Sequence, residues 1–251
     1  MFIDTHCHIS DKYYDDINQL VLENEKAGIE KIIISGCEEK EITSSIQYIN
    51  TYPNIYATIG YHPAEASKVT EENLIHLEKL ATSNKKIVGI GEIGLDYHYG
   101  KEDILIQQDI FRKQLALAEK LHLPVVIHSR DATSDTISIL KEYKVTGVIH
   151  CFSGSLETAK IYISMGYKLG IGGVVTFKNS KLANIIEEIS LENIVLETDS
   201  PYLAPVPYRG QINSSKYIPL IAQKISEIKD ISVEEVSKIT LENTYHVFDL
   251  K

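Results

Sequence analysis

The 251-residue chain has no tryptophan, and its three cysteines, Cys7, Cys37 and Cys151, form no CxxC pair. An odd number of scattered thiols argues against a disulfide framework and fits a reducing, cytoplasmic setting better than a secreted one. No uncharged apolar stretch reaches about 18 residues, so no membrane span is expected. The opening Met1-Phe2-Ile3-Asp4 has no basic segment leading into a long apolar run, so no signal peptide is expected either. Positive charge is also short: 25 Lys and Arg face 35 Asp and Glu, a formal net charge of -10. Such a surface opposes a broad non-specific grip on nucleic acid or anionic membrane, and an anionic substrate needs local cations such as metal ions.

What is present is a globular composition with 43% apolar residues, enough for a sizeable core. Short apolar runs at 2–9, 31–35, 55–60, 87–91, 125–128, 146–150, 167–171 and 193–197 read as strands. Three-and-four spacing marks helices at 15–27, 39–50, 71–81, 103–122, 132–143, 156–165, 181–189, 216–229 and 233–247. The clearest, 103–122, carries Ile104, Phe111, Leu115, Ala118 and Leu121 on one stripe, with Asp103 placed to cap its start and Pro124 marking its end. Ser232 and Glu235 stand in capping-box spacing before the last helix. Eight strands alternating with helices over about 250 residues imply an α/β fold with parallel strands, a TIM (β/α)8 barrel, with an open doubly wound sheet as the rival. No Gly-rich dinucleotide fingerprint, Walker motif, low-complexity segment or linker interrupts the pattern, so residues 1–251 read as a single domain.

A barrel gathers its functional residues at the C-terminal ends of its strands. The first run carries Asp4-Thr5-His6-Cys7-His8, and strand alternation points His6 and His8 one way and Cys7 the other. An isolated HxH is more often a pair of satisfied polar residues than a metal site, so partners are needed. They recur: His62 follows the third strand in Gly60-Tyr61-His62-Pro63, Glu92 follows the fourth, His128 and His150 end the fifth and sixth, and Asp199 follows the eighth. His6, His8, Glu92, His128, His150 and Asp199 make a nitrogen and oxygen set without thiolate. Such a set suits zinc, manganese, iron, nickel or cobalt and, with more water, magnesium. Six ligands exceed the needs of one tetrahedral ion. Two divalent ions about 3.5 to 4 Å apart, bridged by Glu92, use them all, as in many phosphoryl hydrolases.

Taken in order, Asp4 to His8, Gly60 to Pro63, Gly91-Glu92-Ile93-Gly94-Leu95-Asp96-Tyr97, the histidine-ended fifth and sixth strands, and Glu197 to Pro205 resemble the TatD family of metal-dependent hydrolases. The match runs in order from residue 4 to about residue 213, nearly the whole catalytic domain. The resemblance implies a TIM barrel related to the amidohydrolases, two divalent ions (Mg, Mn or Zn), and nuclease action on DNA that includes 3'-to-5' exonuclease cleavage of single strands. It implies that His6, His8, Glu92, His128, His150 and Asp199 hold metal and that His62 lies on the substrate side. Where the family usually reads RGKRNEP, this chain has Arg209-Gly210-Gln211-Ile212-Asn213-Ser214-Ser215, so a second basic residue and the Glu-Pro end are missing.

In the expected mechanism two divalent ions hold a phosphodiester and bring a bound water toward neutral pKa, while Asp199, beside Glu92, accepts its proton. The loaded centre is net positive on a negative protein. His62 and Arg209 are the candidates for contacting phosphate, against the plainer readings of a proline-turn residue and a surface arginine. Asp96 reads as either an orienting group or a loop cap, and His98, within Tyr97-His98-Tyr99, as a cleft residue with little else to support it. Ser153 and Gly154 more simply start a helix than bind phosphate. His76, His122 and His246 read as solvated or capping. Tyr61, Tyr97, Tyr202 and Tyr208 follow strands where a nucleobase can stack. The expected partner is a nucleic acid substrate, DNA first, with no membrane and no obligate protein partner. The rivals are hydrolysis of another ester, such as D-aminoacyl-tRNA or a phosphomonoester, and a non-catalytic metal-binding scaffold.

Overall fold

Runs such as Ile32-Ile33-Ile34 and Val125-Val126-Ile127 are buried along their whole length. Only a strand covered on both faces tolerates this, as in a parallel sheet wrapped by helices. The computed structural model describes residues 1–10, 12–98 and 103–250, and Tyr99 lies outside them. The strands are β1 (Phe2–Cys7), β2 (Ile29–Gly36), β3 (Ile55–Ile59), β4 (Ile87–Asp96), β5 (Val125–Arg130), β6 (Gly147–Ile149), β7 (Lys168–Ile171) and β8 (Ile194–Leu196). Each pairs in parallel with the next. The ring closes just beyond β8, where the Asp199 N–H donates to His6 O at 3.0 Å and the His8 N–H to Ser200 O at 2.7 Å. That closure excludes the open sheet and makes the fold a TIM barrel.

The helices are α1 (Ile17–Lys26), α2 (Glu39–Thr51), α3 (Glu71–Ser83), α4 (Ile104–Leu121), α5 (Thr133–Leu140), α6 (Leu156–Ser164), α7 (Leu182–Glu188), α8 (Ile218–Lys229) and α9 (Val233–Phe248). Asp103 does occupy the N-cap of α4 but makes no capping hydrogen bond, whereas Ser232 Oγ accepts the Glu235 N–H at 3.1 Å and starts α9 as its spacing implies. Among the described residues no helix is long and apolar enough to cross a membrane.

Inside the barrel Ile3, Ile33, Val88, Val126, Val148 and Val195 form a solid plug, closed from below by Phe248 and Leu250. The other end is left for polar side chains. Register slips aim them. Asp4 pairs with Ile32 and Cys7 with Ile34, three residues against two, and Ile90 pairs with Val125 while Ile93 pairs with Ile127. Each slip inserts one residue, as a bulge does, and reverses the alternation of its strand. The first lets His6 face the same interior as Ile3; in β4 an earlier slip, where Ala57 pairs with Ile87 and Thr58 with Gly89, precedes the second, and the two together return Glu92 to the interior that Val88 faces.

Candidate metal centre

At the C-terminal mouth, the six side chains expected to hold metal do converge. His6 Nε2 lies 3.2 Å from His8 Nε2, 3.4 Å from Glu92 Oε2 and 3.8 Å from Asp199 Oδ1. His8 Nε2 is 3.9 Å from Glu92 Oε2 and 3.7 Å from Asp199 Oδ1. Across the mouth, Glu92 Oε1 faces His128 Nδ1 at 2.7 Å and His150 Nε2 at 3.7 Å, and His150 Nε2 is also 3.7 Å from Asp199 Oδ1. Glu92 thus presents one oxygen to the His6–His8 side and the other to the His128–His150 side. It lies within β4 rather than after it, and His128 within β5, because those strands stay paired out to Asp96 and Arg130.

The local backbone serves this geometry. Asp199 has φ 54°, a left-handed conformation that Asp tolerates better than most residues and that reorients its carboxylate beyond β8. Asp4, fully buried, fastens β1 to the end of β8: it accepts the His6 N–H at 3.3 Å, the Thr198 N–H at 3.0 Å and the Thr198 hydroxyl at 2.6 Å. Burial pushes its carboxyl up to about 7 despite those bonds.

The charges are strongly coupled. Burial opposes ionisation of Glu92, but the nearby His150 and hydrogen bonds from His128 and His6 outweigh it and hold the carboxyl well below its usual range. Burial likewise opposes protonation of His128 and His150. For His128 the Asp96 and Glu92 carboxylates prevail and raise it to about 9, and for His150 the charges of Glu197, Glu92 and Asp199 raise it to about 10. His6 is depressed by burial and by His150, against which its ring stacks at 3.7 Å.

Asp96, open between two roles in the sequence, fills both. Its Oδ2 faces His128 Nε2 at 3.1 Å, and its Oδ1 accepts the His98 N–H at 2.9 Å. His128 therefore has a carboxylate at each ring nitrogen, one of which a bound metal ion would displace. His62 Nε2 lies 3.8 Å from Glu92 Oε1, while its Nδ1 accepts the Ala64 N–H at 3.1 Å. That bond assigns the ring proton to Nε2, facing the cluster. Burial lowers His62 to about 4, which keeps the ring neutral. His62 thus orders the proline turn while its ring faces Glu92. Arg209 is exposed and stands outside the cluster, its guanidinium carbon 4.2 Å from the centre of the Phe177 ring.

Residue patterns did not point to several groups that shape the centre. Glu197, fully buried, faces His150 Nδ1 with Oε1 at 3.1 Å and accepts the Cys151 N–H at 2.6 Å. It occupies the space left by Gly170, where an added Cβ would lie 2.1 Å from Glu197 Oε2. Its place two residues before Asp199 was the available signal. The buried Cys37 thiol donates to Glu92 Oε2 at 3.5 Å. Cys7 packs as alternation predicts, its thiol on Ile33 O. Cys151, beside His150, is half-buried in the turn after β6 and lines a cavity of about 500 Å³, because the chain leaves strand geometry at that residue with φ 46°. His98, Arg130, Asp131, Ser153 and Gly154 line the same cavity, and His98 pairs with Asp131 at 3.0 Å. His76 reaches Glu39 at 4.0 Å, and His122 is the left-handed C-cap of α4.

The family model of TatD-related DNases matches residues 3–249. The chain is 42% identical over 253 residues to YabD of Bacillus subtilis (strain 168), described as an uncharacterized metal-dependent hydrolase, with 99% of each chain covered. It superposes on the crystal structure of the TatD homologue YjjV from Escherichia coli K12 with a TM-score of 0.93 at 32% identity, covering 100% of this chain and 98% of that one. A TatD family hydrolase from Entamoeba histolytica superposes with a TM-score of 0.88 at 27% identity, over 98% of this chain and 97% of that one. The chain belongs to the family of TatD-related DNases.

Proposed function

We propose that this chain is a divalent-metal-dependent hydrolase that cleaves the phosphodiester bonds of DNA as a 3'-to-5' exonuclease on single strands. The observation that carries the metal requirement is Glu92, its two oxygens divided between two groups of histidines with Asp199 beside both. The residues fit a pair of divalent ions. Their facing nitrogen and oxygen atoms are mostly 3 to 4 Å apart, the spacing of neighbouring ligands about 2.1 Å from a shared ion. His6, His8, Glu92, His128, His150 and Asp199 would hold the ions, which supply positive charge for the phosphate and bring a water toward neutral pKa. The DNA substrate is supported by the family to which the chain belongs.

The chain's own groups then divide the work. Asp199, partly exposed beside His6, His8 and His150, holds the attacking water with its carboxylate and accepts its proton. His62, neutral and with its proton on Nε2, donates to a phosphate oxygen as negative charge builds there. Glu197 holds the His150 ring by its rear nitrogen. Arg209, braced on Phe177, offers a cation on the outer loop to the polyanion as it approaches.

Metal-reconstituted protein is offered single-stranded DNA, duplex DNA, RNA and aminoacyl-tRNA in parallel. Stepwise shortening of single-stranded DNA from the 3' end, stopped by a chelator, is the expected result. Cleavage of the aminoacyl ester with every phosphodiester intact overturns it.

A further inference from the structure

Four tyrosines follow strand ends, and the structure separates them. Tyr61 is buried with its hydroxyl on Glu39 at 2.6 Å, Tyr97 is half-buried with its hydroxyl on Asp135 at 2.9 Å, and Tyr208 stacks on Tyr217 with ring centres 4.3 Å apart. Tyr202 alone of the four presents its ring at the centre: it is 52% exposed and its ring centre is 6.3 Å from that of His8. Its backbone is firmly held. The Tyr202 N–H donates to Asp199 O at 2.8 Å, and its carbonyl accepts Asn213 Nδ2 at 2.6 Å. Fully buried Asn213 also donates to Thr198 O at 2.8 Å and receives the Tyr14 hydroxyl on its own carbonyl at 2.9 Å. The Tyr13 ring meets Tyr202 edge to face at 6.1 Å, with the Lys12 ammonium 5.1 Å from the Tyr13 centre. Leu203, Val206 and Ile212, on the same loop, are also exposed.

We propose that Tyr202, buttressed by Tyr13, is a stacking platform for the unpaired nucleobase next to the phosphodiester held at the centre. The proposal rests on the phosphodiesterase reading above. An exposed apolar ring costs solvation unless something covers it, and this one is fixed by its backbone to Asp199, so its position relative to the reacting phosphate is set in advance. The occupant that fits is a base: a flat π-face attached to an anion, with Lys12 nearby on a protein whose net charge is -10. A base inside a duplex already has both faces covered, so the platform favours single strands and frayed ends.

The test uses phosphorothioate-linked single-stranded pentanucleotides, each with one 2-aminopurine at a different position, bound to full-length protein in magnesium. Wild type should quench the fluorophore most strongly at one position, and Tyr202→Phe should keep that pattern. Tyr202→Ala should lose the quench and bind roughly five- to a hundredfold more weakly, the effect of removing one stacked base. An oligonucleotide with an abasic site at that position should bind wild type and Tyr202→Ala alike. Equal affinity and equal quenching in wild type and Tyr202→Ala, with DNA still cleaved, overturn the platform and leave the phosphodiesterase reading standing. If wild type binds no oligonucleotide and cleaves no phosphodiester, both fall together.

Discussion

Glu197 and Gly170 form a pair in which one residue exists for the other. The Glu197 carboxylate, which faces His150 Nδ1, occupies the volume a Cβ at Gly170 would need. Gly170→Ala should therefore displace Glu197 and weaken metal binding about 10- to 100-fold, the usual effect of losing a group that orients a ligand histidine. Metal titration of the purified variant reads this directly, and unchanged affinity would mean that Glu197 does not position His150. Glu197→Gln should give a smaller loss in the same direction, since the amide keeps the volume and gives up the charge. Asp199→Ala should retain the fold and lose about 10²- to 10⁴-fold in kcat on a DNA substrate, the range for removing a positioned proton acceptor. Activity near wild type would remove Asp199 from the mechanism.

Gln114 shows how a helix reaches into the mouth of the barrel. From α4, buried to 1% exposure, its Nε2 donates to Tyr61 O at 3.0 Å and its Oε1 accepts the Tyr61 N–H at 2.7 Å. This two-ended clamp holds the segment that presents His62. Gln114→Ala leaves both backbone groups of Tyr61 without partners, which should destabilise the protein by about 2 to 4 kcal/mol and raise KM through a loosened His62. Chemical denaturation beside steady-state kinetics checks both, and full stability would show that another group takes over the Tyr61 backbone. The β-bulges act at the same level. In β1 the slip decides that His6 faces inward, against the alternation that Ile3 sets, and in β4 two successive slips return Glu92 to the side of Val88.

Taken whole, the molecule is a solid apolar plug at one end and a charged, buried cluster at the other. Such a cluster is costly without cations, so divalent metal should stabilise the fold as well as serve the chemistry. At a hundredfold excess over Kd the gain is about 2.7 kcal/mol, which for a chain of this length raises Tm by roughly 5 to 10 °C. Differential scanning calorimetry with and without chelator measures it, and an unchanged Tm would mean that the cluster holds no metal in the native state.

Much of this was legible beforehand. Among the described residues, the eight strands and nine α-helices follow from the period of their apolar residues, and a parallel barrel follows from their alternation, because local patterning reports which faces are buried. The separated residues His6, His8, Glu92, His128, His150 and Asp199 were legible as one set because a barrel brings every strand end to the same place. The roles of Asp4, Glu197, Cys37, Gln114 and Asn213, and the choice of Tyr202 among four tyrosines, were not. Each depends on a contact between segments remote in the chain, such as Cys37 on Glu92 or Asn213 on Thr198, or on a one-residue slip that reverses which face a side chain takes. Periodicity along a chain records burial, whereas a hydrogen bond across the barrel depends on distance and direction, which exist only once the ring has closed.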